Sequence, residues 1–217
     1  MKRRLLLLAP LATLVAGTAQ APAQAQAPGL SPEDKADIAR VEAHLNSVKT
    51  LHARFLQLAP NGAKSEGQAW IQRPGRMRFQ YDPPSPFLLV GSHGLLVFND
   101  SQLKQTSNIP LGQTPLGILL EDNLRLSGAV TVSRVTRLPN QLQVTLYRTA
   151  SPQDGSLTLI FADNPLKLRS WITTDAQRQE TRVTLYNAET GGTFDQSLFN
   201  FVDPRFFQNN GGGNGSG

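Results

Sequence analysis

Three histidines, His44, His52 and His93, and no cysteine at all limit what chemistry this chain can do. Thiol nucleophiles and cysteine-ligated metals are excluded. His44 and His52 lack the i, i+4 or H-E-x-x-H spacing of a zinc site. His93 stands in a turn between Ser92 and Gly94. A Ser-His proton-transfer pair is one reading of it and a polar hairpin tip the other. Neighbours on a turn rarely orient toward each other for proton transfer, so the hairpin tip is expected. The chain contains no G-x-S-x-G elbow and no Walker loop. Asp82, Asp122, Asp154, Asp163, Asp175 and Asp203 fall at turns or element ends, Asp82 as a turn-fixing residue before Pro83, and nothing pairs two acids across a cleft. The expectation is a protein that is not an enzyme and uses no cofactor and no metal.

One charge is different in kind. Residues 73–84 read R-P-G-R-M-R-F-Q-Y-D-P-P, preceded by the strand-like run Ala69-Trp70-Ile71-Gln72. Past the Pro-Gly turn, Met77, Phe79 and Tyr81 alternate with Arg76, Arg78 and Gln80, which puts the first set on an apolar inner face and the second on a wet outer one. If alternation holds through the preceding strand, Arg73 shares the inner face with Ala69 and Ile71. A permanent charge aimed inward requires a partner. Pointing out to solvent at the turn is the alternative, and alternation alone leaves the two readings open.

The elements that position this residue are legible in outline. Ser31-Pro32-Glu33-Asp34 predicts a helix start, with Ser31 as N-cap and Pro32 at the first helical position. Ile38, Val41, Leu45 and Val48 recur at helical spacing, and the helix is expected to end near Leu51. Strands are predicted at 52–58, 66–73, 76–82, 87–91, 95–99, 102–106, 130–137, 141–148, 156–161, 166–174 and 180–188, with a short one near 198–202. Short turn-rich connections imply an antiparallel meander. A second, short helix is expected over residues 114–121, with Thr114 as cap and Pro115 at its first position. The predicted fold is mainly β with a few helices: one antiparallel, strongly curved open half-barrel of about eleven strands, with a helical lid over the concave apolar face.

Residues 1–27 read as a secretory signal peptide. Lys2, Arg3 and Arg4 precede the apolar run Leu5 to Ala16, and cleavage sites follow after Ala21, Ala25 or Ala27. No cysteine is available for lipidation behind the apolar run, so a soluble exported protein is expected. Those three basic residues account for much of the formal charge of +5, and no basic patch interleaved with aromatics argues for nucleic acid. Residues 28–208 are expected to form one domain, and 209–217 a disordered Gly-rich tail.

The sequence resembles the outer-membrane lipoprotein carrier family, the LolA proteins. The landmarks are Leu51-His52-Ala53-Arg54-Phe55, Gly67-Gln68-Ala69-Trp70-Ile71 and Arg73-Pro74-Gly75-Arg76-Met77-Arg78-Phe79. Further on come Pro86 to Val90, Gly94-Leu95, Thr114-Pro115-Leu116 and Leu198-Phe199-Asn200-Phe201. The resemblance implies a periplasmic monomer whose apolar cavity takes up the acyl chains of lipoproteins released by an inner-membrane ABC transporter. It would deliver them to a receptor at the outer membrane. It also implies that Arg73 hydrogen-bonds backbone carbonyls of the lid and holds the empty cavity shut. Parity and the two apolar helices nominate Val41, Leu45, Phe55, Ile71, Met77, Phe79, Leu116 and Leu119 as cavity residues. A periplasmic lipid- or lipoprotein-sensing module regulating a membrane partner is the alternative function; a lipid hydrolase lacks its catalytic set.

Overall fold

A computed structural model describes residues 29–202. The proposed signal peptide and Gly-rich tail lie outside them. Helix α1 spans Pro32–Ser47. Eleven strands follow: β1 Thr50–Leu58, β2 Lys64–Gln72, β3 Arg76–Tyr81, β4 Phe87–Ser92, β5 Leu95–Asp100, β6 Gln105–Pro110, β7 Val130–Leu138, β8 Gln141–Arg148, β9 Gly155–Ala162, β10 Lys167–Asp175 and β11 Glu180–Thr190. They form a single antiparallel sheet in the order β6-β5-β4-β3-β2-β1-β11-β10-β9-β8-β7. The chain thus builds one half outward from β1, crosses over through residues 111–129, and builds the other half back toward β1.

Every strand except the exposed edge strand β6 contributes residues to the inward, buried face. Leu51, Ala53 and Phe55 of β1, Ala69 and Ile71 of β2, Met77, Phe79 and Tyr81 of β3, and Leu142, Val144 and Leu146 of β8 all belong to one buried cluster. The sheet is strongly curved, and one contact shows it. The rings of Phe79 on β3 and Trp171 on β10 lie 6.0 Å apart edge to face. Four strand spacings separate β3 from β10, about 19 Å along a flat sheet, too far for two inward side chains to meet at that distance.

Helix α1 starts as the sequence predicts. Ser31 and Asp34 form a reciprocal capping box, and Pro32 sits in the first turn. Its end differs: Val48 is the C-cap, and Leu51 belongs to β1. Leu51 continues the helical spacing of Leu45 and Val48 by coincidence, since its burial serves the inward ladder of β1. The second helix is of 3-10 type, Pro115–Leu120, capped by Thr114 and preceded by a further 3-10 turn at Leu111–Gln113. A six-residue run gains little from the α-helical ladder, and 3-10 geometry is common at that length.

Two strand expectations are corrected. The strand expected at 102–106 lies at Gln105–Pro110, because Asp100 accepts from the amides of Gln102 and Leu103 and extends the preceding turn. The short strand expected near 198–202 is replaced by a 3-10 turn, Gln196–Phe199, capped by Asp195. It packs on the outer face of β3 and β4.

Candidate functional site

The site is the place where α1, the 3-10 helix and the β2–β3 turn converge. Ile38, Val41 and Leu45 of α1 and Ile118, Leu119 and Leu120 of the 3-10 helix enter the same apolar cluster as the inward ladder of the sheet. They close the concave face as one unit, because α1 and the segment after the 3-10 helix are stitched together. Asn46 Nδ2 donates to the Leu124 carbonyl at 3.0 Å, and its Oδ1 accepts from the Leu124 amide at 2.9 Å. Glu42 accepts from the Leu126 amide. Lys49 reaches the carboxylate and carbonyl of Asp122.

Arg73 ties that unit to the sheet. It lies just past β2, with only 7% of its surface exposed. Its Nε and Nη2 donate to the Val48 carbonyl at 3.1 and 3.0 Å, and Nη1 donates to the Glu121 carbonyl at 3.2 Å. Val48 is the C-cap of α1 and Glu121 that of the 3-10 helix. One guanidinium therefore satisfies orphan carbonyls at the ends of both lid elements, where the helix dipole is negative. Burial pushes its pKa down, and the charge of Asp122 acts the other way; the guanidinium stays protonated at any physiological pH. The flanking backbone joins in: the Arg73 amide donates to the Lys49 carbonyl and the Gly75 amide to the Leu120 carbonyl, both at 2.8 Å.

The other candidates fall into two groups. Val41, Leu45, Phe55, Ile71, Met77, Phe79 and Leu119 are all buried in the common cluster. Leu116 is only partly buried and packs against its margin. Phe55 sits at the centre, its ring 5.1 Å from those of both Phe79 and Tyr81. Met77 pairs across the ladder with Gly91, where an added Cβ would collide with the Met77 Cγ.

Three expectations about polar residues need correcting. Arg78 is not on an open wet face: its Nη1 donates to the Leu198 carbonyl at 3.1 Å beneath the C-terminal 3-10 turn. Asp82 does not fix its own turn through its side chain but accepts from Nη1 and Nη2 of Arg54 across the outer face. Ser92 Oγ and His93 Nδ1 do meet, at 2.9 Å, because His93 adopts a positive φ of 50° at the β4–β5 hairpin tip. The pair is exposed, and among the described residues no carboxylate is hydrogen-bonded to the ring.

Sequence reasoning missed one residue of this site. Arg148 ends β8 in register with the inward Leu142, Val144 and Leu146, as Arg73 follows Ala69 and Ile71. Its Nη2 donates to the Thr114 carbonyl at 3.0 Å, at the start of the 3-10 helix. The parity argument that singled out Arg73, applied to β8, would have found it.

A single curved sheet whose concave apolar face is closed by a lid pinned through arginine–carbonyl bonds defines the class: an open half-barrel with a clasped lid. The family profile described as "Outer membrane lipoprotein carrier protein LolA" matches residues 46–202. The chain belongs to the LolA family. It is 29% identical over 174 residues to an outer-membrane lipoprotein carrier protein of Methylococcus capsulatus, covering 76% of this chain and 83% of that one. With the carrier protein of Pseudomonas paraeruginosa it shares 26% identity over 182 residues, 79% of this chain and 86% of the relative. A solved LolA superfamily protein from Nitrosomonas europaea is 8% identical, covers 74% of this chain and 96% of that one, and superposes with a TM-score of 0.41.

Proposed function

We propose that the protein is a periplasmic carrier that takes up the acyl chains of lipoproteins released from the inner membrane and conveys them to the outer membrane. The observation that carries this reading is Arg73 bridging the Val48 and Glu121 carbonyls over a predominantly apolar interior. Burying a saturated chain of some fourteen carbons involves roughly 11 kcal/mol, at about 0.8 kcal/mol per CH₂. A carrier must present comparable apolar surface when loaded and hide it when empty, since an open apolar face of that size invites aggregation. The packed concave face supplies the surface. The lid hides it, and arginine–carbonyl bonds are strong enough to hold a lid yet weak enough for cargo burial to break them. The names of the relatives agree with lipoproteins as the cargo.

Within this reading, residues 1–27 are an export signal, an inner-membrane ABC transporter supplies the cargo and an outer-membrane receptor takes it. The carrier works as a monomer, without cofactor or catalysis. The test is incubation of the purified mature protein with spheroplasts loaded with a diacylated lipoprotein. The expected result is a soluble one-to-one complex in the supernatant. No release by a protein whose fold is intact would overturn the reading.

A further inference from the structure

The two ends of the lid's 3-10 helix are held unequally. Its C-terminal end is fixed by Arg73, by the Gly75 amide on the Leu120 carbonyl, and through Asn46 and Glu42 stitching the following residues to α1. At its N-terminal end, among the described residues, the bond from Arg148 to the Thr114 carbonyl is the hydrogen bond that ties the helix start to the sheet. The preceding turn is held by the Leu111 amide on the Gly94 carbonyl. Arg148 Nε is buried and has no hydrogen-bond partner among the described residues. Beside it a small cavity opens between Gln113 and Pro115 of the lid, Tyr147 of β8, and Ser151 and Asp154 of the β8–β9 connection. Backbone packing there is close: a side chain on Gly117 would collide with the Leu111 carbonyl and crowd the Arg148 guanidinium.

We propose that Arg148 is a second clasp on the lid, opposite Arg73, and that the edge it guards is where a hydrocarbon chain first enters the interior. The chemistry favours that edge on two counts. A single charge-assisted bond is easier to break than the cluster at the other end. The unpartnered Nε–H can bond the ester or amide carbonyl that joins an acyl chain to its headgroup, leaving the guanidinium no worse paired when Thr114 moves away. Arg148 is a positioning residue: it acts on the chain through the lid it holds. The inference deepens the carrier reading and rests on it only for the identity of the chain.

Amide hydrogen exchange by NMR on the cargo-free protein tests the clasp without any lipoprotein. In the native protein the Thr114 and Gly117 amides should exchange faster than that of Gly75. Arg148→Met should speed Thr114 and Gly117 by about tenfold or more, the equivalent of one charge-assisted hydrogen bond, and leave Gly75 unchanged. Arg148→Lys, which keeps a donor, should restore most of the protection. Uptake of the apolar fluorophore N-phenylnaphthylamine should quicken in Arg148→Met by a similar factor. Unchanged exchange at Thr114 and Gly117 would overturn the clasp, and so would equal acceleration at the Leu146 and Leu159 amides of the sheet. Faster lid exchange with unchanged fluorophore uptake would overturn the way in. Failure to release lipoprotein from spheroplasts, with these results standing, would count against the carrier reading alone.

Discussion

Replacing Arg73 with leucine removes the bridge between the lid and the sheet while keeping an apolar side chain over the interior. Three N–H···O contacts of 3.0 to 3.2 Å are lost, to two carbonyl acceptors. Hydrogen bonds from a charged donor contribute about 1.5–3 kcal/mol each, and the desolvated guanidinium gives part of that back. A net loss of about 3 kcal/mol raises the open population roughly a hundredfold, at 1.4 kcal/mol per factor of ten. Closing competes with cargo, so the apparent affinity for an acyl chain should rise by up to the same factor, and release should slow. Arg73→Leu is therefore expected to take lipoprotein from spheroplasts at least as well as the native protein and to pass it to outer-membrane vesicles poorly. The paired assay is release from spheroplasts followed by transfer to those vesicles, with exchange of the Gly75 amide as an internal measure of lid opening. Unchanged transfer combined with a faster Gly75 amide would refute the link between lid closure and delivery. An unchanged Gly75 amide would refute the hundredfold rise in the open population.

Gly67→Ala should destabilise the fold severely, since the added Cβ would collide with the Gln80 carbonyl and the Phe55 ring; a urea midpoint close to native would contradict this. Asn46→Ala leaves the buried Leu124 amide and carbonyl unpaired and should cost about 2–3 kcal/mol in urea denaturation. Burial holds the His44 pKa below its ordinary 6.5, so the unfolded chain binds the proton more readily. Stability contributed by neutral His44 is present above 6.5 and is lost as pH falls through the lower folded value. Denaturant midpoints should therefore drop on acidification through that window, and His44→Phe, beside Phe161, should flatten the dependence.

Local signals were most legible where a few adjacent residues decide the outcome. Ser31, Pro32 and Asp34 specify the start of α1 by themselves. The inward ladder Met77, Phe79 and Tyr81 follows from alternation, and so do the strands of both halves to within a few residues. Legibility failed where two elements share a spacing, as at Leu51, which fits both the helical stripe of α1 and the ladder of β1. It failed again at Leu198 to Val202, whose apolar residues read as a strand. There the outer face of β3 and β4 accepts a capped 3-10 turn, with Phe199 buried and the Leu198 carbonyl on Arg78.

The sequence by itself determined the inward ladder of Met77, Phe79 and Tyr81, the apolar character of the concave face and the absence of thiol chemistry, because these depend on residue type and on the two-residue repeat of a strand. Only the tertiary structure decided that Arg73 turns inward and what it meets there. Its acceptors are the backbone carbonyls of Val48 and Glu121, which every residue carries, so no side-chain pattern announces them. They become a pair only when the ends of α1 and the 3-10 helix, far apart in the chain, are brought over the same turn. The same holds for Arg148 and Thr114. Strand parity allows the charge to turn inward, and the packing of the lid supplies its partner.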